Sequence, residues 1–465
     1  MEESIITKLK EQVGEALVIA NADLENRYDH IWNMDKPLSA KAVLLPTSTQ
    51  DVSDVLKICH EHKQPIVIHG GLTGLVGGTQ TDAEVIVIST EKLNQIEELD
   101  EHSRTITVQS GVVLENIHKK VSEKGLMFPM DFGAKGSAQI GGVIATNAGG
   151  LRVFRYGMTR SLVLGLEAVL ADGTVISSLK KIIKDNSGYD LKQLFIGTEG
   201  TLGIITKAIL KLVEAPKSRT SVFIGLNGYE KVVQFLRFLD ASLAGTLSSF
   251  ELIWADTYQA LTNDEHASVK PPLPYGYEYY VLVDVLGSDS EKDEERIMNL
   301  MEKALEEERI LDAVFAKNKA DLDWFWTVRE DIHAILKQVK HSQNFDISIP
   351  TAMIGEVVSK MIEKLQALEG VEKVFPFGHI ADGNVHFIVD KKDNSDSLTH
   401  QINKIIYSPL QKIGGSISAE HGIGIQKKKY LEYARSENEI NLMKILKRNL
   451  DPKNILNPGK VIDLK

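Results

Sequence analysis

Three glycine-rich segments constrain the fold of this 465-residue chain more than any other feature. The first, HGGLTGLVGGT (69–79), lies between two apolar runs, PIVI (65–68) and EVIVIS (84–89), that predict short buried strands. A nucleotide-binding βαβ unit requires G-x-G-x-x-G at the start of a helix, and a phosphate-binding loop ends in Gly-Lys-Ser/Thr. The segment has neither pattern. Its bare backbone amides can instead form a concave anion site, although a flexible surface loop would have a similar composition.

The second and third segments have the same character: FPMDFGAKGSAQIGGVIATNAGGLRVFRYG (128–157) and KDNSGYDLKQLFIGTEGTLGIIT (184–206). Glycine at this density allows the backbone to lie against a flat or bulky partner. Tight turns would explain any one of these segments, but three of them together favour a large cofactor held by loops.

The composition argues against several classes of protein. A net charge of −11 disfavours nucleic acid as a general partner. The single cysteine, Cys59, excludes an internal disulfide and a cysteine-ligated iron–sulfur cluster within the chain. No signal peptide or transmembrane run is recognisable, so we expect a cytoplasmic protein, with peripheral attachment to a membrane as the alternative. The lysines at 427–429 and in KILKRNL (444–450) indicate a solvated basic face or, alternatively, a docking surface for an acidic carrier or a membrane.

Local periodicity predicts several elements. Apolar residues at 52, 55, 56 and 59 follow the capping candidates Ser48 and Thr49 at helical spacing. From about Arg219, strand, helix, strand, strand and helix patterns follow one another, which resembles a ferredoxin-like unit or an enlarged version of one. The tail NLMKILKRNL (441–450) predicts a helix that ends at Asp451-Pro452.

Two histidine motifs carry the chemistry. In GHIADGNVH (378–386), a two-residue hairpin turn at Asp382-Gly383 would place His379 opposite His386 on one face of a strand pair. SAEHGIG (418–424) could add Glu420 as a third metal ligand. Such a set suits Zn²⁺ and leaves open positions, while Mn²⁺ and Fe²⁺ are alternatives. The alternative is a purely structural role, in which the histidines cap a turn.

Together with the closing DPKNILNPGK (451–460), these motifs resemble the vanillyl-alcohol-oxidase-type flavoproteins. Within them the chain is similar to the D-2-hydroxy-acid dehydrogenase branch, which includes D-lactate dehydrogenase, the glycolate oxidase flavin subunit and D-2-hydroxyglutarate dehydrogenase. The resemblance implies an α+β fold with four parts. These are an N-terminal helical segment (1–37), an FAD-binding domain of the PCMH type with two α+β subdomains (38–217), a ferredoxin-like substrate-cap domain (218–420) and a segment returning to the FAD domain (421–465).

The same resemblance implies which residues bind FAD. They are Gly70, Gly71, Leu72, Thr73, Gly74, Gly77 and Gly78 in the first segment; Pro129, Gly136, Ser137, Gly141, Gly142, Asn147 and Gly149 in the second; Glu199, Gly200, Gly203 and Ile204 in the third; and Asn457 near the end. Covalent relatives carry a histidine where Thr73 stands. Because threonine cannot form that bond, we expect non-covalent FAD.

The resemblance also assigns roles in catalysis. His421 would be the general base that takes the hydroxyl proton of a 2-hydroxy acid, and a divalent metal held by His379, His386 and Glu420 would bind the substrate. Arg329 would grip the substrate carboxylate, although a helix ion pair or a surface position is the alternative. Hydride transfer to the flavin would leave a 2-oxo acid.

The chain departs from the 2-hydroxyglutarate branch at two positions. Asn344 stands where lysine is typical and Ile388 where asparagine is typical, which disfavours a second substrate carboxylate. We therefore expect a D-lactate-like monocarboxylate. D-2-hydroxyglutarate and glycolate remain alternatives within the same branch.

Two further hypotheses stay open. One is a non-hydride flavoenzyme related to alkyl-glycerone-phosphate synthase, and the other is an electron-transfer subunit that depends on partners. Electrons would leave to a separate acceptor, which could be a quinone, a cytochrome, an electron-transfer flavoprotein or an iron–sulfur protein. The sequence also leaves a homodimer open.

Overall fold

The strands of the first half of the chain form two sheets and a short ribbon. The computed structural model describes residues 4–32, 34–263 and 265–464. These strands are β1 (Val18–Ala20), β2 (Ala42–Leu44), β3 (Ile66–His69), β4 (Ile86–Ser89), β5 (Ile96–Asp100), β6 (Thr105–Gln109), β7 (Leu126–Met127), β8 (Val163–Val169), β9 (Val175–Ser178), β10 (Ile204–Lys211) and β11 (Val213–Glu214). The first sheet has the order β1-β2-β4-β3 and the second the order β5-β6-β10-β8-β9, while β7 pairs with β11.

The helices of this half alternate with its strands along the chain. They are α1 (Ile5–Val13), α2 (Thr49–Glu61), α3 (Leu114–Ser122), α4 (Ile140–Ala145), α5 (Val153–Tyr156) and α6 (Thr159–Leu162). The helix predicted after Ser48 is confirmed as α2. Ser48 and Asp51 form a capping box at its start, in which each side chain accepts from the other's backbone N–H.

The first glycine-rich segment connects two parallel strands. β3 and β4 form where the apolar runs predicted them, with Ile66 beside Ile86. The chain must therefore return from the end of β3 to the start of β4 without a helix. That return exposes the backbone of residues 70–79 at the carboxyl end of β3.

The second half of the chain contains one seven-stranded antiparallel sheet. Its strands are β12 (Ser218–Leu226), β13 (Leu247–Trp254), β14 (Tyr279–Gly287), β15 (Asp312–Phe315), β16 (His341–Ser348), β17 (Val371–His379) and β18 (Asn384–Lys391). The order is β15-β12-β14-β13-β17-β18-β16. The first four strands have the ferredoxin-like order, so the enlarged ferredoxin-like unit predicted from the sequence is confirmed.

Helices cover both faces of this cap sheet. They are α7 (Tyr229–Leu243), α8 (Ala255–Thr262), α9 (Ser290–Glu306), α10 (Lys319–Glu330), α11 (Ile332–Leu336), α12 (Ile354–Gln366), α13 (Asp396–Tyr407) and α14 (Leu410–Ile413). A further helix, α15 (Glu437–Leu450), packs instead in an apolar cluster with Leu431, Val461 and Ile462. One face packs against α7, α9, α12 and α13. The other packs against α8, α10 and α11, and this apolar cluster includes Phe375 and Phe377 of β17 and Ile388 of β18.

The end of the chain returns to the first sheet. After α15, Leu456 pairs with Ile66 as a parallel bridge at the edge of β3. Lys447 anchors this return because its ammonium donates to Asp451 and to the backbone carbonyls of Thr201 and Leu456, at 2.5, 2.9 and 2.7 Å.

The predicted basic face at the C-terminal end is wrong for two of its lysines. Lys427 and Lys447 are buried, with 5% and 3% of their surface exposed. Lys427 lies beside Ser418 and Asp346, so both ammonium groups serve internal contacts. Each ammonium also contacts a residue distant in the chain, Asp346 for Lys427 and Thr201 for Lys447, and a run of positive charge in the sequence does not show such contacts. Over the described ranges, no helix is long and apolar enough to span a membrane.

Candidate active site

The three glycine-rich segments surround one cavity of about 350 Å³, which is in the usual range of about 300–1,000 Å³ for cofactor and ligand pockets. Fourteen of the residues expected to bind FAD line it: Gly70, Gly71, Leu72, Thr73, Gly74, Gly78, Gly141, Gly142, Gly149, Glu199, Gly200, Gly203, Ile204 and Asn457. Glu420 and His421 of the second histidine motif line the same cavity. The lining also includes Trp32, Thr79, Thr90, Phe132 and Gln139, which the sequence analysis did not name as FAD-binding residues.

Glycine is required here for two different reasons. At Gly71 and Gly141 a Cβ would lie 2.1 Å from the Ser137 carbonyl oxygen and 2.6 Å from Ser110 Cβ, so the loops pack directly against each other. At Gly74 and Gly142 a Cβ would meet no atom within 4 Å and would project into open space. The walls therefore leave bare backbone facing the cavity, which fits an extended cofactor with a pyrophosphate and a flat ring.

Five of the expected FAD residues do not line the cavity: Gly77, Pro129, Gly136, Ser137 and Asn147. Asn147 has a positive φ of 48°, and its side-chain oxygen accepts the backbone N–H of Arg160. The carbonyl of Ser137 contacts the backbone of Gly71. The Ser137 carbonyl thus packs against a residue of the lining, whereas Gly136 is exposed.

Glu199 ties the third glycine-rich segment to the second histidine motif. Its carboxylate accepts the backbone N–H groups of Ile423 and Gly424 at 2.6 and 2.8 Å. Asn457 donates to the carbonyl of Glu199 at 2.6 Å and accepts the N–H of Ile68 at 3.0 Å. The predicted return of the chain end thus reaches the cavity through Asn457.

The structure brings His379, His386 and Glu420 together. One ligand atom from each lies within 4.8 Å of the others. The predicted two-residue hairpin is wrong: residues 380–382 form a 3₁₀ turn, and Gly383 follows with a φ of 86°. His386 therefore faces Phe377, and His379 lies two residues further along β17. A shift of two residues keeps a side chain on the same face, so the histidines still meet, diagonally, with ring centroids 5.4 Å apart.

Glu251 is a functional residue that the sequence analysis missed. It is fully buried on β13 opposite His379, and its Oε1 lies 2.7 Å from His379 Nδ1. Arg329, 5% exposed at the end of α10, donates from Nε to Glu251 Oε2 at 2.8 Å. The one local signal was a carboxylate within the apolar strand SSFELIW (248–254).

Asp346 is the second missed residue and organises the SAEHGIG motif. Its Oδ2 accepts the backbone N–H groups of Glu420 and His421, each at 2.9 Å, and its Oδ1 accepts from the Asn384 side chain at 3.0 Å. Asp346, His386 and His421 also lie close enough together to hold a metal. Because both oxygens of Asp346 already accept hydrogen bonds, the set with Glu420 is better suited to an ion.

Burial and charge shift the pKa values of this cluster in opposite directions. Burial disfavours the charged form of His379, but Glu251 outweighs it and raises its pKa to about 9. Burial raises the pKa of Glu420 and lowers that of His421. Burial also opposes ionisation of Asp346, yet His421, Lys427 and His386 hold its pKa far below the usual range.

Asn344 and Ile388 are direct cross-strand partners on β16 and β18. Ile388 lies two residues from His386 and so shares its face of the sheet. It is 3% exposed and packs in the apolar cluster that contains Phe375 and Phe377, whereas Asn344 is exposed. The two positions that distinguish the chain from the 2-hydroxyglutarate branch therefore form one pair beside the histidines.

A glycine-lined cavity joined to a buried histidine–carboxylate cluster defines a flavin-binding oxidoreductase. The chain belongs to the FAD-linked oxidases: residues 40–178 match the FAD binding domain, and residues 215–461 match the FAD linked oxidases, C-terminal domain.

Curated relatives cover nearly the whole chain. A putative mitochondrial D-lactate dehydrogenase of Schizosaccharomyces pombe is 40% identical over 90% of this chain and 81% of its own. A mitochondrial D-2-hydroxyglutarate dehydrogenase of Danio rerio is 35% identical over 96% and 82%. A D-2-hydroxyglutarate–pyruvate transhydrogenase of Saccharomyces cerevisiae is 34% identical over 98% and 91%.

Solved structures share the fold. A p-cresol methylhydroxylase superposes with a TM-score of 0.73 at 17% identity, covering 99% of this chain and 96% of that one. An alkyldihydroxyacetonephosphate synthase gives 0.71 at 15% identity, covering 98% and 84%. At these identities the likeness concerns the fold alone, and it confirms the predicted vanillyl-alcohol-oxidase-type architecture.

Proposed function

We propose that the protein oxidises a D-2-hydroxy acid to the 2-oxo acid, and that a D-lactate-like monocarboxylate is the preferred substrate. The observation that carries this proposal is the convergence of His379, His386, Glu420 and His421 at the edge of the glycine-lined cavity. The names of the relatives, which include D-lactate and D-2-hydroxyglutarate dehydrogenases, support the reaction class.

His379, His386 and Glu420 would hold a divalent metal ion. Two imidazoles and a carboxylate suit Zn²⁺, with Mn²⁺ and Fe²⁺ as alternatives, and three protein ligands leave coordination positions open. His379 already has the support such a ligand needs, because Glu251 bonds its Nδ1 and leaves Nε2 available. When bound, the ion would act as a Lewis acid that makes the substrate hydroxyl more acidic.

The chain's own residues would position the substrate and move its proton. The Arg329 guanidinium, oriented through its Nε by Glu251, offers its remaining N–H groups to a carboxylate. His421 would take the hydroxyl proton, and the backbone bond from His421 to Asp346 fixes its place. Bound FAD would supply the hydride acceptor.

Asn344 and Ile388 support the preference for a monocarboxylate. A second carboxylate near this cross-strand pair would lose water against the buried Ile388 and would find only the neutral amide of Asn344, so no cation offsets its desolvation. The alternative within the same chemistry is D-2-hydroxyglutarate or glycolate. A non-hydride reaction, as in the alkyl-glycerone-phosphate synthases, would not need the metal cluster.

We further propose that reduced flavin passes its electrons to a separate acceptor: a quinone, a cytochrome, an electron-transfer flavoprotein or an iron–sulfur protein. This follows from the composition, because a single buried cysteine cannot ligate an iron–sulfur cluster.

We also propose a cytoplasmic location, which cell fractionation tests. Several of the relatives are named mitochondrial. Sedimentation of the purified protein tests the homodimer.

We predict that FAD is bound non-covalently. Thr73 lines the cavity in the loop after β3, and a threonine hydroxyl does not form the histidyl bond of covalent relatives. Acid precipitation should leave the yellow flavin in the supernatant. Flavin that remains in the washed pellet would contradict the prediction.

The experiment that tests the proposal is anaerobic mixing of the purified, FAD-loaded protein with D-lactate, L-lactate or D-2-hydroxyglutarate, followed by flavin absorbance. We expect D-lactate to bleach the flavin and L-lactate to leave it oxidised. Chelation should slow bleaching because the Lewis acid is lost. His421→Ala should slow it by about a hundredfold or more, the usual contribution of a general base. Bleaching that is unchanged by chelation would contradict the role of the metal, and faster bleaching by D-2-hydroxyglutarate would contradict the substrate preference.

A further inference from the structure

Glu251 contacts two groups of the site at once. Its two carboxylate oxygens are divided between His379 Nδ1 at 2.7 Å and Arg329 Nε at 2.8 Å. These residues come from β13, β17 and α10, and all three side chains are buried. One carboxylate therefore sets the relative position of a candidate metal ligand and the candidate substrate arginine.

Each contact leaves the functional end of its partner free. A hydrogen bond at Nδ1 fixes the orientation of an imidazole and leaves Nε2 for a metal ion. A hydrogen bond at Nε holds the guanidinium plane while the two terminal nitrogens stay available for bidentate contact with a carboxylate. Phe377 adds to the restraint because the Arg329 guanidinium stacks 4.9 Å from its ring centroid.

We propose that Glu251 is a positioning residue that couples metal binding to recognition of the substrate carboxylate. This inference rests on the proposed function, since it assigns Glu251 to the same site. It predicts that a change at Glu251 weakens both interactions together, although Glu251 contacts neither the metal nor the substrate itself.

The chain offers a matched control in Asp284. This carboxylate lies on β14, is 2% exposed, accepts from Arg219 Nε at 2.9 Å and also accepts from Ser221. It pairs a buried carboxylate with an arginine in the same sheet and contacts neither His379 nor Arg329. Asp284→Asn therefore reproduces the loss of a buried charge without disturbing the proposed coupling.

The test compares FAD-loaded wild type, Glu251→Gln and Asp284→Asn by two measurements. The first is Mn²⁺ affinity, from the electron paramagnetic resonance signal of free Mn²⁺, and the second is KM against kcat for D-lactate. We expect Glu251→Gln to weaken Mn²⁺ binding about ten- to a hundredfold, as changes behind metal ligands do, and to raise KM as well. In Asp284→Asn both values should stay within about twofold of wild type, because surface and core changes away from a site act on stability.

The outcomes separate this inference from the proposed function. Wild type that binds no Mn²⁺ and shows no turnover would overturn the proposed function and the inference with it. If wild type binds Mn²⁺ but Glu251→Gln shows the same Mn²⁺ affinity and the same KM as Asp284→Asn, only the inference about Glu251 is overturned. Should Glu251→Gln not accumulate folded, Glu251→Asp replaces it. The shorter side chain keeps the charge but cannot reach both partners, so the same joint loss is expected, and unchanged values would overturn the inference.

Discussion

At the scale of single residues, two buried carboxylates hold the site from different sides. Glu251 fixes His379 and Arg329, and Asp346 fixes the backbone of Glu420 and His421. Burying a carboxylate is unfavourable unless it is paired and hydrogen-bonded, and both of these are. The site is therefore preorganised by groups that touch neither cofactor nor substrate in the proposed reaction.

The cross-strand pair of Asn344 and Ile388 leads to a prediction about specificity. The double substitution Asn344→Lys with Ile388→Asn should raise the ratio of kcat/KM for D-2-hydroxyglutarate over D-lactate by about tenfold or more, because a cation and an amide then meet the second carboxylate. Rates of anaerobic flavin reduction measure the ratio. Ser342→Lys adds the same charge two residues further from His386 and serves as the control; an equal gain there would refute the assignment of the pair.

At the scale of elements, sequence patterns within one helix or strand predicted that element correctly. The pattern that had to predict how two strands pair did not. The capping residue Ser48 and the apolar spacing behind it predicted α2, and strand composition predicted β3, β4 and the ferredoxin-like unit. The β17–β18 register was missed because the Asp-Gly pair that favours a tight hairpin lies in a 3₁₀ turn instead. In the folded chain the Gly383 carbonyl accepts the backbone N–H of Ile349 at 2.9 Å, a contact with a distant segment that the local sequence does not show.

The anchor of α15 leads to a prediction about stability. Lys447→Met should destabilise the protein by about 3–5 kcal/mol, because it leaves the buried Asp451 without its cation. It should also reduce FAD retention, since the same ammonium holds the carbonyl of Leu456, next to Asn457 in the cavity. Urea unfolding and flavin content after gel filtration measure the two effects. Lys429→Met, at an exposed position, should change neither, and equal behaviour of the two variants would contradict the prediction.

At the scale of the whole molecule, the site is assembled from segments that are distant in the chain. Glu251 and His379 are 128 residues apart, and Asp346 and Glu420 are 74 residues apart. Residues within motifs could be predicted because their neighbours in sequence identify them. Glu251 and Asp346 could not, because a carboxylate in a strand shows its partner only after folding.

The contact between Gly149 and Glu420 leads to a prediction across the two halves of the molecule. A Cβ at Gly149 would lie 2.5 Å from Glu420 Oε1, so Gly149→Ala should displace that carboxylate. We expect metal affinity to fall by about tenfold or more, and flavin content reports any separate effect on the cavity wall that Gly149 lines. Metal analysis and flavin absorbance on the same samples measure both. Gly136→Ala, where a Cβ meets no atom within 4 Å, is the control; a metal content equal in both variants would contradict the contact.

The return of Leu456 and Asn457 to β3 has a consequence for how the protein is made. Synthesis proceeds from the N-terminus, and domains generally fold as they emerge. The wall of the cavity formed by Asn457, which binds Ile68 and Glu199, appears on the ribosome only after the entire cap sheet. A nascent chain can thus complete its first two sheets long before the cavity is closed. We therefore expect stable capture of FAD only after the cap has been translated, as one of the last steps in maturation.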